Sequence, residues 1–181
     1  MKTLVLFFLI ILQVHDVYSC FCKREKTVKE SYKSKFIHSI VHARVLKKTK
    51  ISLKSLMKES EIDSLKNGGN NSHEWELKRI ERNDIYKVEL ELIKGFKGNS
   101  KPEIITIYTH SNSSSCGYPW FVVGKEYLIY ASSEKIASYT FYKMKEKFLW
   151  TYHCLRTKAF DPLEAEELSK LSSKAKNNDP N

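Results

Sequence analysis

The stretch Phe36-Ile37-His38-Ser39-Ile40-Val41-His42-Ala43-Arg44-Val45 decides the fold class. Ile37, Ser39, Val41, Ala43 and Val45 are small or apolar, and Phe36, His38, Ile40, His42 and Arg44 alternate with them. Alternate side chains of a strand point to opposite faces, so a period of two predicts a half-buried β-strand and not a helix. The pattern returns at Tyr86, Val88, Leu90 and Leu92, which alternate with Lys87, Glu89 and Glu91. Short β-rich runs follow at 104–108, 126–131 and 139–143, and 150–153 is a further candidate. Gly95, Gly98, Pro102, Gly117, Pro119 and Gly124 punctuate them. Five or more short strands at this spacing predict a mainly β domain, a sandwich or a small barrel.

The helix signal is confined to the C-terminus. Asp161 is a favourable N-cap, Pro162 suits the first helical position, and Glu164 stands where a capping box needs it. Ala165, Leu168, Leu171 and Ala175 then share a face. Residues 177–181 read as a polar tail. Between the first two strands lies a long polar segment, 46–83, with Lys47, Lys48, Lys50, Lys54 and Lys58. Ile51, Leu53, Leu56 and Met57 predict one short amphipathic helix within it, and 68–71 a flexible tip.

Residues 1–19 read as an export signal. Lys2 is a short positive start, residues 4–12 are an unbroken apolar run, and Val17 and Ser19 are small enough for a cleavage site. The run is far short of the ~20 apolar residues a spanning helix needs. Cleavage after Ser19 makes Cys20 the first mature residue and leaves one domain, 20–176, of a secreted chain without a membrane span. Lys2 and Asp16 cancel, so the mature chain keeps the formal charge of +10. A basic secreted chain is drawn to acidic glycans and matrix, and sulfated glycans are the partner class that the lysine-rich segment suggests. All four cysteines, Cys20, Cys22, Cys116 and Cys154, follow the signal, and an even count in an exported chain implies two disulfides. Three pairings are open. Joining Cys20 to Cys22 would close a tiny strained loop, so each is expected to reach a distant partner.

At these residues the sequence resembles a known family. The mature start Cys20-Phe21-Cys22 resembles the C-x-C opening of the tissue inhibitors of metalloproteinases, and Cys116-Gly117-Tyr118 is similar to the C-G-Y of their connector between strands. Cys154-Leu155-Arg156-Thr157, leading into the capped helix, looks like the end of the wider netrin-like module. The resemblance implies an OB-type five-stranded barrel with a C-terminal flanking helix, and the bridges Cys20–Cys116 and Cys22–Cys154. It implies a monomeric inhibitor of secreted zinc metalloproteinases, neither an enzyme nor a binder of nucleic acid. The departures are two cysteines fewer than the family's six-cysteine inhibitory domain, no second domain, and Phe21 in place of a smaller residue.

A catalytic zinc keeps an open coordination position. The α-amino nitrogen and carbonyl oxygen of Cys20 are one carbon apart and can chelate that zinc in a five-membered ring, displacing its water. The protein needs no cofactor of its own; the metal belongs to the target. In an extended C-x-C, Cys20 and Cys22 point back into the domain and Phe21 points outward, toward a specificity pocket. By the resemblance Lys23, Ser114 and Ser115 join Phe21 and Cys22 in the contact ridge. Two glycosylation motifs begin at Asn70 and Asn112, the second beside that ridge. His38 and His42 would sit ~13 Å apart along a strand, too far for joint metal ligation, and no nucleophile motif, phosphate loop or paired carboxylates suggest an enzyme. The rival reading is a netrin-like extracellular module that binds heparan sulfate or matrix and inhibits nothing.

Overall fold

The computed structural model describes residues 22, 26–68, 71–98, 104–113, 115–133, 144–145 and 148–177. The signal, the tail beyond 177 and the expected strand at 139–143 lie outside them. The described residues form strands β1 (Ser39–Ser52), β2 (Asp84–Lys97), β3 (Ile104–His110), β4 (Glu126–Ser133), β5 (Leu149–Trp150) and β6 (Lys158–Ala159). They also form helices α1 (Val28–Lys33), α2 (Glu59–Asn67), α3 (Asn71–Glu81) and α4 (Pro162–Asn177). The chain is therefore mainly β with a C-terminal helix. Asn177, expected in the tail, is the last residue of α4.

The strands follow the order β1-β2-β3-β5-β4-β6, and β1 also pairs with β4. Five strands thus close a ring of pairings, with β6 attached outside on β4. Every pairing is antiparallel except β3 with β5. β1 carries most of the closure. It pairs with β2 from Ile40↔Lys97 to Ser52↔Asp84 and with β4 from Ser39↔Ala131 to Arg44↔Glu126. Its register against β2 shifts at Ile40/Val41, His42/Ala43 and Val45/Lys47. Such bulges bend and twist a strand, which is what lets one strand serve two neighbours around a curve.

Alternation sorts the strand residues between two packed faces. Val41, Ala43 and Val45 of β1, Val88, Leu90 and Leu92 of β2, and Tyr127, Ile129 and Ala131 of β4 meet inside the ring. The opposite residues Ile40, Leu128 and Tyr130 are also buried, beneath α1 and α4, where they meet Val28, Leu155 and Leu168. Ile40 is therefore core on the face where Phe36 and Arg44 are exposed. A third cluster joins Leu53, Leu56, Met57 and Ile80 to Ile85, Tyr108, Phe148 and Trp150 at one end of the ring.

Three helices depart from the sequence reading. α1 is only six residues long and is fixed by a capping box: Thr27 accepts from the Glu30 backbone N–H, and Glu30 accepts from the Thr27 N–H. The segment expected as loop with one short helix is the end of β1, a 3-10 turn at Leu53–Leu56, and the helical pair α2 and α3. No residue of α2 is fully buried, and it has no side-chain N-cap. It is held by partial packing of Ile62 and Leu65 on the third cluster, which local sequence does not announce.

The capping of α4 is half of what was expected. Asp161 Oδ1 accepts from the backbone N–H of Leu163 and Glu164. The Glu164 carboxylate instead turns inward, 5 % exposed, and accepts from Tyr130 Oη (2.5 Å), Arg156 (2.6 Å) and Lys158 (2.9 Å). Burial alone would raise the Glu164 pKa, but these three donors outweigh it and the carboxyl titrates below its ordinary 4.5. The same burial, with Glu164 beside it, raises the Tyr130 phenol.

A carboxyl depressed in the folded state stabilises the fold above its ordinary pKa, and that stabilisation is lost as pH falls below 4.5 through the folded value. Glu164→Gln takes the counter-charge from the largely buried Arg156, while the more exposed Lys158 keeps Asp161, and should cost about 3 kcal/mol at neutral pH. Denaturant titration at pH 7 and at pH 3 checks this: the difference between native and variant should shrink at the lower pH.

Candidate functional site

Cys154 sits on a loop, 151–157, whose two ends are fastened to one residue of β4. Thr151 Oγ1 donates to Tyr130 O (2.9 Å), Thr157 Oγ1 accepts from Tyr130 N (3.0 Å), and the two hydroxyls share a hydrogen bond of 2.6 Å. All of these groups are buried, where a satisfied polar pair fixes geometry because any displacement leaves groups unpaired. The turn closes at Arg156, whose φ of 64° is unusual for a side chain with a Cβ. Arg156 is held there by donating to Lys26 O (2.7 Å) and to Glu164.

Onto this loop the chain is bolted by Cys22–Cys154, with the Cα atoms 5.4 Å apart and a sequence separation of 132. Closing a loop of that length restricts the unfolded chain by up to about 5 kcal/mol in the chain-entropy account. Cys116 is disulfide-bonded as well. Its backbone carbonyl accepts from His153 N (2.9 Å), so the connector that carries Cys116 and the turn that carries Cys154 are joined directly.

The connector explains why glycine follows Cys116. A Cβ on Gly117 would lie 2.3 Å from His110 O and 2.5 Å from Asn112 O, both backbone atoms. Cys116 adopts φ 61° to bring the chain into that position. Cys116 N donates to Ser113 O, Gly117 N to Asn112 O, and Ser115 N to Asn112 Oδ1 (2.8 Å). Tyr118 N then donates to buried Thr109 Oγ1 (2.8 Å), and the Tyr118 ring enters the core, where burial and then neighbouring Tyr127 push its phenol up to about 12. His110, where β3 delivers the chain to this connector, packs edge-on against Trp150. Burial, with Arg79 nearby, lowers its pKa to about 4.

Of the residues expected in the ridge, Cys22 and Ser115 are described, and the structure gathers Cys22, Cys116 and Cys154 at one edge. Cys20, Phe21, Lys23 and Ser114 lie outside the described residues, as does Asn70. Asn112 is exposed, and its Oδ1 already caps the connector. His38 is exposed, and His42 accounts for itself structurally, stacking on Phe160 (3.9 Å) and bonding Glu126 (2.8 Å). Among the described residues no group of three or more His, Cys, Asp or Glu is placed to hold a metal ion, and no helix is long and apolar enough to cross a membrane.

Sequence reasoning missed Trp120. It stands 49 % exposed beside the bridge, edge-on to Tyr118 (5.2 Å) and His153 (5.4 Å). Its carbonyl accepts from Tyr127 Oη, while Lys48 Nζ donates to the carbonyls of Pro119 and Phe121 on either side. Lys48 also lies over the Tyr86 ring at 4.1 Å. Burial lowers its pKa. The lysine-rich segment is thus not a free basic patch: Lys48 is a strut, Lys50 pairs with Asp84, and Lys54 pairs with Glu81. Lys47, Lys48 and Lys50 belong to β1, not to a loop. A cavity of about 420 Å³ opens beside Trp120, with Lys26, Arg156 and Lys158 in its lining and the Cys22–Cys154 bridge at its edge. No family model matches this sequence, and no curated protein matches it.

Gly117→Ala forces backbone apart at the connector and should destabilise the protein by about 2 kcal/mol, as overpacking of a closed site does; thermal unfolding checks it. For His110, a base whose folded pKa lies at about 4 below its ordinary 6.5, stability is full above pH 6.5 and falls as pH drops toward 4, because the unfolded chain binds the proton first. Denaturation at pH 7.5 and pH 4.5 should show a loss on the order of 2 kcal/mol that His110→Gln abolishes.

Proposed function

We propose that this chain is a secreted, netrin-like inhibitor of zinc metalloproteinases, built on an OB-type barrel and acting through Cys20 as its mature first residue. The observation that carries the reading is the fastening of the two loops at the N-terminal edge. Cys22 is bridged to Cys154, and the Cys154 turn is hydrogen-bonded to the Cys116 connector. Two of four cysteines are taken by that bridge and Cys116 is bonded, so Cys20–Cys116 is the pairing that the proposal adopts. A terminus pinned through residues 20 and 22 presents its amine and carbonyl with little conformational entropy left to lose on binding. The ring of five paired strands with a C-terminal helix supports the netrin-like reading.

In this mechanism the neutral Cys20 amine and the Cys20 carbonyl oxygen take the open position of the target's zinc, and its water leaves. An α-amine with an ordinary pKa of ~7.7–8.0 sheds its proton to solvent at modest cost near neutral pH. Phe21 enters the adjoining specificity pocket, and Cys22, Lys23, Ser114 and Ser115 extend the contact. Sulfated glycans are a weaker candidate partner, since Lys50 and Lys54 are ion-paired and the Lys48 ammonium is engaged by the Pro119 and Phe121 carbonyls.

The test compares the native mature chain with a form carrying one alanine before Cys20, against a matrix metalloproteinase. The extension should weaken inhibition ~100-fold or more, about 3 kcal/mol, and leave thermal stability unchanged. Inhibition by the native form should also fall as pH drops below neutral, because protons compete with zinc for the amine. Equal potency of the two forms would overturn chelation and favour the non-inhibitory binding module.

A further inference from the structure

We propose that Trp120 and the basic cleft behind it form a second anchor for the target proteinase, one that receives an acidic side chain flanked by an apolar one. The inference rests on the inhibitor reading above and deepens it. Three observations carry it. The first is rigidity. Trp120 stands half in solvent, yet the backbone on both sides of it is tied to the core by Lys48, through the carbonyls of Pro119 and Phe121, and by Tyr127, which donates to Trp120 O and accepts from Val122 N. An indole held outward on a fixed backbone has the character of a binding hot spot, because little entropy remains to be lost.

The second observation is charge. Among the described residues the cleft lining holds Lys26, Arg156 and Lys158 and no carboxylate. Glu164 and Asp161, outside the lining, answer Arg156 and Lys158. Lys26 adds a third cation to two carboxylates. A visiting Asp or Glu completes that balance, and the half-exposed Trp120 indole in the same lining suits a neighbouring aliphatic residue. The third is position. Cys22 and Cys154 line the same cleft, so a proteinase seated on the bridged N-terminus passes over Trp120.

Four forms separate this anchor from zinc chelation: the mature chain and its alanine-extended form, each with and without Trp120→Ala. Dissociation constants for an immobilised matrix metalloproteinase catalytic domain are the readout. Trp120→Ala should weaken binding ~10-fold or more, by the same factor in both backgrounds, since independent contacts add. Trp120→Phe should recover most of the loss. Lys26→Glu should weaken binding at low salt and do so much less at 0.5 M salt. The thermal midpoint of each variant serves as the folding control. Unchanged binding by Trp120→Ala overturns the proposal. So does a loss confined to the free-terminus form, which would mean that Trp120 only positions Cys20. So does an alanine-extended chain with no measurable affinity, since a second anchor must hold on its own. A mature chain that neither inhibits nor binds the proteinase fails the inhibitor reading itself, and the anchor with it.

Discussion

The structure depends on β1 being hydrogen-bonded along both edges. Over residues 40–44 it has β2 on one side and β4 on the other, so its backbone donors and acceptors are used in both directions. A strand in that position has no free edge, and its bulges turn it between its two neighbours. Everything else is placed relative to it. β4 is buried on both faces because one faces the ring interior and the other faces α1 and α4. The remaining closure is slight by comparison: β5 contributes two residues to β3 and the same two to β4.

The N-terminal edge shows how a small basic domain makes a fixed surface from loops. Cys154, Cys116 and Trp120 all lie outside the long strands, where backbone is ordinarily mobile. Each is nevertheless held by specific partners: the buried Thr151–Thr157 pair, the Gly117 contact with the His110 and Asn112 carbonyls, and Lys48 with Tyr127. The disulfide is one fastening among several. Its effect is to bring residue 22 to a place that hydrogen bonds have already fixed.

Strands with one polar face were legible in the sequence, because β1 and β2 wrote their alternation in Val, Ile and Leu against Lys, Glu and His. The capped C-terminal helix was legible too, through Asp161 and Pro162. What local pattern could not show was made by tertiary contact. α2 has no cap and no buried residue, and β6 is two residues long. Glu164 looked like a capping residue because its spacing from Asp161 is right. Its inward turn depends on Tyr130 and Arg156, which spacing does not reveal. Lys48 looked like one lysine among five, and only the carbonyls of a connector 71 residues away make it a strut. The cysteines pointed to the edge where Cys22 and Cys154 are bridged, while Trp120, with no motif around it beyond the preceding C-G-Y, gave no signal of its own.

The helical pair between β1 and β2 leaves and rejoins the sheet at facing residues, since Ser52 is the partner of Asp84. Its base is core: Leu53, Met57 and Ile80 are fully buried. Toward its far end Asp63, Ser64, Lys66 and Asn67 are exposed, and so is Trp75. The excursion is therefore a plug at the bottom and a handle at the top. Chain can be added at the handle, as a fluorophore site, an affinity tag or a tether to a second module, without cutting any pairing of the ring, whereas shortening the excursion below residue 58 or beyond residue 79 would unseal one end of the interior.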